Sequence, residues 1–290
     1  MAPHSPRFYK NIDWLQLWQN ERKHKSWRSK KATDWDKKAG AFAERTSDSP
    51  YIPLLLSRLP LDPDCTVVDV GCGPGTLALP LARMVKNVTA IDYSRKMLDV
   101  IEARAGDEGL DNIRCVHCSW EDDWRSHDIE TADIAIASRS LNIADLPSAL
   151  KKLNDIARRY VFITDRIAPS PFDPEAFAAV GREFSSGPDY IFTLNFLYSM
   201  GICANVEILE LDRHTVFKNT EEALAAYIWM FKDLNQDETY RLQRYVESCV
   251  VASSTDTIVI RRPQGLRWAL IWWKKPSSPN SICLNRSFSL

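Results

Sequence analysis

The chain is expected to fold as an α/β protein, a doubly wound, mostly parallel sheet with helices on both faces. Three observations carry that expectation. From Cys65 to Thr164, short runs rich in Val, Ile and Thr alternate with longer helical stretches. A glycine-rich turn, Gly71-Cys72-Gly73-Pro74-Gly75, separates the first run from the stretch after it, and an acidic residue, Asp92, closes the next run. Sheets of this kind collect ligands beyond the carboxyl ends of their strands, so strand ends are where chemistry is sought.

Taken in order, residues 11–31 read as a helix in which Trp14, Trp18 and Trp27 alternate with the basic runs Arg22-Lys23-His24-Lys25 and Arg28-Ser29-Lys30-Lys31. The expectation is an amphipathic helix packed on the domain with its basic face in solvent. Asp34-Trp35-Asp36 leads into a helix over 39–44, where a lid could form, and Pro50-Tyr51-Ile52-Pro53 reads as a boundary. Strands follow at 66–70, 88–91, 113–117, 134–137 and 160–164, with helices over 76–84, 95–105 and 146–157 between them. Beyond Thr164 the rhythm loosens into a helix over 175–184, an aromatic stretch at 190–198, a strand over 206–216, two helices within 221–250 and a final strand over 267–273. The division expected is an N-terminal helical extension or lid (1–50), a main domain (51–275) with helical insertions near 166–200 and 220–253, and a disordered tail (276–290).

A chain of 290 residues, 45% of them hydrophobic, can bury one large core with additions. Its formal charge of −1 offers no global attraction to nucleic acid or an anionic membrane, and a small or neutral substrate fits at least as well. Seven scattered cysteines read as buried thiols of a reducing compartment, which points to the cytoplasm. No run of about 18 uncharged apolar residues occurs, so no membrane span is expected.

The glycine turn is the most informative segment. Val67-Val68-Asp69-Val70 is a strand that ends in three alternate glycines, which let the backbone take positive φ and lie close against a bound cofactor. Asp92 stands where doubly wound folds set an acid on ribose hydroxyls. A dinucleotide site would want a further small residue where Thr76 stands. Instead Asp69 to Gly75 resembles the D-x-G-C-G-x-G signature of the class I S-adenosylmethionine-dependent methyltransferases, a Rossmann-like family, and the likeness extends over about 33–165.

The resemblance implies S-adenosylmethionine as cofactor and in-line transfer of its methyl group to an acceptor. It places Asp92 on the ribose, Tyr93 beside the adenosine, Gly71, Gly73 and Gly75 beneath the methionine part, and Asp69 where it orients that part. Cys118-Ser119-Trp120-Glu121-Asp122 is similar to the family's adenine-binding turn, with Ser119 where an acid is usual; its hydroxyl can accept the purine amino hydrogen and Trp120 can cover the ring. Ala137 to Asn142, with Ser138 and Arg139, falls where the family meets the methyl group and the acceptor. Arg139 there either grips a carboxylate or phosphate of the acceptor or pairs with Asp145 or Asp165. No catalytic residue is assigned; His214, Asp165 and Tyr190 are unranked candidates for a base.

Other features read as structural. Cys115 and Cys118 have the spacing of half a zinc knuckle without a second pair, so they are taken as core and turn and no metal is expected. Tyr227, Trp229, Phe231 and Tyr240 read as packing, although a substrate cage would be built there, and Trp35 as a core residue that could also close over the cofactor. The leading function is a methyltransferase of a small molecule. Its alternatives are a methyltransferase that docks RNA or an acidic protein on the basic segment 14–31, a noncatalytic cofactor-binding module and, last, a nicotinamide-dependent oxidoreductase. Acceptor and oligomeric state are left open.

Overall fold

The computed structural model describes residues 11–27 and 29–276; the tail from 277 onward, expected to be disordered, lies outside the described residues, as do residues 1–10 and Arg28. Strand β1 (Thr66–Val70) is β-branched at every position but Asp69 and is buried almost throughout, as a central strand covered on both faces must be. It pairs in parallel with β2 (Asn87–Asp92) on one side and β4 (Ala132–Ser138) on the other. Strands β3 (Ile113–His117) and β5 (Ala157–Arg166) extend the parallel sheet outward, β10 (Arg267–Lys274) runs antiparallel beside β5, and β6 (Asn205–Glu210) closes the far edge. The order is β3-β2-β1-β4-β5-β10-β6. It reverses between β1 and β4, which opens a crevice at their carboxyl ends.

Alternation along β4 shows how both faces are filled. Ala135 and Ala137 join one apolar core with Leu146, Leu150, Val161 and Ile163, while Ile134 and Ile136 join the other with Val67, Leu98, Ile101 and Phe162. Helix α7 (Leu146–Ile156) is capped by Asp145, whose side chain accepts from Ser148 N, and it buries Leu146, Ala149, Leu150 and Leu153 on one stripe. Helix α6 (Arg95–Glu108) begins at Ser94, whose Oγ accepts from Met97 N, and ends at Gly109 in the left-handed region.

Several boundaries differ from the sequence reading. The helix expected over 76–84 is the five-residue α5 (Ala78–Ala82), flanked by turns. The helix expected over 175–184 stops at α8 (Pro174–Val180), because Gly181 takes φ 88 and ends it. The aromatic stretch is α9 (Tyr190–Ser199), and the two expected helices are α10 (Thr220–Ile228) and α11 (Gln236–Ser248). The strand expected over 206–216 is two strands: after β6 the Asp212 carboxylate accepts from His214 N at 2.8 Å, turning the chain into β7 (His214–Phe217). There β7 pairs with β9 (Ile258–Arg261), and β9 with β8 (Val250–Ser253), in a small antiparallel sheet backed by a third apolar core that includes Trp27, Phe172, Phe177, Tyr227 and Leu242. No helix among the described residues is long and apolar enough to cross a membrane.

Candidate cofactor and acceptor site

The glycine turn follows β1 directly, with φ 72, 55 and 84 at Gly71, Gly73 and Gly75. At Gly71 the need for glycine is also steric: a Cβ there would lie 2.3 Å from Cβ of Ser140, in the segment that leaves β4. Asp92 ties the turn to the end of β2. Its Oδ2 accepts from Gly73 N at 2.8 Å and its Oδ1 from Ser94 N at 2.9 Å, so each oxygen keeps acceptor capacity for a hydroxyl. Burial raises its pKa and those backbone donors oppose the rise.

Asp69, beneath the same turn, is buried, and among the described residues neither carboxylate oxygen has a hydrogen-bond partner. Burial, followed by the charge of Asp92, pushes its pKa up to about 7, partly offset by Arg139. A buried carboxylate without a donor is costly and calls for a cationic or donor group from a ligand. An α-ammonium group meets that need, so the residues present fit the methionine part of S-adenosylmethionine.

The N-terminal elements lie across this turn. Asp36, the last residue of α2 (Ala32–Asp36), accepts from Ser94 Oγ at 2.6 Å, which anchors α2 to the start of α6. Phe42, on α3 (Ala39–Thr46), comes to 4.0 Å from where a Cβ on Gly73 would stand, and Trp35 meets Phe42 edge-on with centroids 5.3 Å apart. Tyr93 is part exposed and donates from its hydroxyl to Lys30 O at 3.3 Å. Lys30 Nζ lies 4.3 Å from the Trp35 ring centre and 5.5 Å from that of Trp229. Burial, followed by Lys38 and Arg45, brings its pKa down to about 8.

Ser119 is more committed than expected. Its hydroxyl accepts from Glu121 N and Asp122 N, both at 3.2 Å, and its own N–H donates to Asp122 Oδ2 at 2.8 Å. It therefore closes its turn, and Trp120 packs on Trp124 with centroids 5.4 Å apart. Potential ligand atoms of Cys118, Asp122 and His127 also lie within 4.8 Å of one another, without Cys115. Burial, then Asp122, pushes the Cys118 thiol up to about 11, so it stays protonated beside the carboxylate.

At the ends of β4 and β5, Ser138 Oγ lies 2.7 Å from Tyr51 OH, which in turn lies 2.6 Å from Thr164 Oγ1. Tyr51 is completely buried and begins α4 (Tyr51–Leu56), where the sequence reading set only a boundary. Proline is tolerated in a helix's first turn, which is the signal that Pro53 carried. Arg139 corrects an expectation too. Among the described residues it forms no ion pair with Asp145 or Asp165; its guanidinium sits 4.1 Å from the Tyr51 ring centre and 5.4 Å from that of Trp268, on a backbone at φ 57. Asp165 accepts from Thr193 Oγ1 at 2.7 Å, and burial raises its pKa. Of the other base candidates, His214 is on the small sheet beside Asp212, and Tyr190 opens α9.

The basic segment departs furthest from expectation. Helix α1 (Trp14–His24) ends before the second basic run, and Trp18 and Trp27 are buried. Lys25 is only 8% exposed. Arg22 and Trp18 both donate to the carbonyl of Ile143, Trp18 at 3.0 Å, so part of the supposed solvent face turns inward.

Comparison with known proteins agrees with this architecture. A family described as methyltransferase domain matches residues 67–160. An uncharacterized protein of Haemophilus influenzae is 36% identical over 242 residues, covering 82% of this chain and 88% of its own. The magnesium-protoporphyrin O-methyltransferase of Rhodobacter capsulatus is 29% identical over 133 residues, covering 45% of this chain and 58% of that enzyme. A solved structure of a candidate methyltransferase from Bacillus halodurans superposes with a TM-score of 0.52 at 17% identity, covering 77% of this chain and 97% of the other; at that identity the likeness is one of fold. The chain belongs to the class I S-adenosylmethionine-dependent methyltransferases, and S-adenosylmethionine is its cofactor.

Proposed function

We propose that this enzyme methylates a small-molecule acceptor held between the glycine turn and the N-terminal elements. The observation that carries the reading is the cover itself: α2 and α3 lie over the turn, with Phe42 near Gly73 and Asp36 bonded to Ser94, which favours a compact acceptor. In this reading Asp69 receives the ammonium end of the cofactor, Gly71, Gly73 and Gly75 admit its methionine part, and Asp92 takes the ribose hydroxyls. Tyr93, Ser119 and Trp120 border the adenine, while Ser138, Arg139 and Trp35 flank the transfer point.

The bound cofactor supplies an electrophilic methyl group on a sulfonium. What the chain contributes is alignment and exclusion of water, which in well-oriented systems is worth roughly 7–11 kcal/mol of barrier. The inward-facing Arg22 and Lys25 weaken the alternative of an RNA or protein docking surface on segment 14–31. The test is to supply S-adenosylmethionine with a labelled methyl group to the enzyme and a cell extract, then separate small molecules from RNA and protein. Label in the small-molecule fraction is expected; label confined to RNA or protein would overturn the reading.

A further inference from the structure

Segment 22–29 is stitched to two loops. Ser26 N donates to Ser185 O at 3.0 Å and Trp27 Nε1 to Ser186 O at 2.9 Å, on the loop before α9. Asn142, on the segment after β4, donates to Ser29 Oγ at 3.1 Å and lies 3.4 Å from Lys25 Nζ. Gly187 belongs to the same seam, because a Cβ there would come within 2.8 Å of Cβ of Lys25.

Four cations converge on this seam: Arg22, Lys25, Arg166 and Lys232. Each gives its charged donors to neutral groups. Arg22 bonds Ile143 O, Lys25 bonds Ser29 Oγ, Arg166 bonds Ser186 O and Pro188 O, and Lys232 bonds Lys25 O. Lys25 Nζ and Arg166 Cζ lie 3.7 and 4.4 Å from the centre of the Trp27 ring. At most about 8 Å separates them, no more than one screening length. Acidic groups nearby are Asp165 and Asp189 toward Arg166 and Glu121 toward Arg22, yet none of the four cations is in an ion pair among the described residues. The nearest accessible aromatic ring is the half-buried Trp229, which packs on the buried pair Trp27 and Phe172.

We propose that this cluster is an oxyanion subsite, in which Lys25, Arg22, Arg166 and Lys232 bind a carboxylate or phosphate group carried by the methyl acceptor. The inference rests on the small-molecule reading of the cleft and adds a substrate class to it: an anion with an apolar or aromatic body. Like charges gathered with no directly paired carboxylate repel at a cost that a bound anion reduces. Burial, and after it the charges of Arg22, Arg166 and Lys232, bring the Lys25 ammonium down to about 7, and an anion placed among these groups would oppose both effects. Anion binding would therefore raise it again and take up a proton at about pH 8.

The test uses the full chain saturated with S-adenosylhomocysteine, titrated calorimetrically with benzoate, phenyl phosphate and, as a neutral control, benzyl alcohol. Benzoate and phenyl phosphate separate the carboxylate from the phosphate source. The expected result is that at least one anion binds, with proton uptake read from buffers of different ionisation heat, and that benzyl alcohol does not. Lys25→Met should weaken anion binding at least tenfold and abolish the uptake while leaving S-adenosylhomocysteine affinity intact; Lys232→Met, at an exposed position, should weaken it severalfold. Equal anion affinity in wild type and both variants, or benzyl alcohol binding as well as benzoate, would overturn the subsite. Anion binding as expected alongside methyl label confined to RNA or protein would instead sink the small-molecule reading and leave the subsite standing.

Discussion

Asp69 concentrates the chemistry of the site in one carboxyl group. Its pKa stands at about 7 in the folded chain against an ordinary 3.8, so the folded state holds this proton more tightly than the unfolded one. That contribution to stability is fully present below about pH 3.8 and is lost as pH rises through about 7. Lys25 acts in a different window, because its lowered pKa makes the folded state shed a proton earlier and gain stability between about 7 and 10.5. Thermal melts of the ligand-free protein against Asp69→Asn should therefore show the wild type losing ground between about pH 4 and 7, and a pH-independent difference would contradict this account of Asp69. Gly71→Ala combines positive φ with a 2.3 Å clash and should cost about 2–4 kcal/mol, read by chemical denaturation, together with loss of cofactor binding. Asp69 and Asp92 were legible in the sequence because a strand, a glycine turn and the next strand's end are fixed relative to one another by local geometry. Tyr51 and Lys25 were not, because a proline pair looks like a break and a basic run looks solvated until tertiary contacts bury it.

At the scale of elements, the cover over the glycine turn hangs on few contacts. Asp36 joins α2 to Ser94, Thr46 meets Thr76 across their hydroxyls at 3.2 Å, and Phe42 lies by Gly73. Asp36→Ala should leave the sheet intact while loosening residues 31–46, seen as faster proteolysis there and a severalfold rise in KM for S-adenosylmethionine. Unchanged cleavage and KM would show that α2 is held by other means. Strands from β1 to β5 were legible because they are apolar runs of ordinary length. The split between β6 and β7 was not, since the polar run Asp212-Arg213-His214 that turns the chain contains neither Gly nor Pro, and β8 and β9 depend on pairing with distant segments.

For the molecule as a whole, the sheet order sets the crevice, and two additions flank it. One addition is the N-terminal α1–α3; the other is the insertion carrying α8, α10, α11 and the small sheet, whose core includes Trp27 from the first. The two additions thus share a core and meet at the cationic seam, so the proposed anion subsite could not be read from either segment alone. The most direct test of the account is calorimetric titration of the purified protein with S-adenosylhomocysteine, beside Asp92→Ala and a reduced dinucleotide. The account predicts binding to wild type, an affinity at least tenfold weaker in the variant, about 1.4 kcal/mol, and no dinucleotide binding. Wild type that ignores S-adenosylhomocysteine, or prefers the dinucleotide, would contradict it.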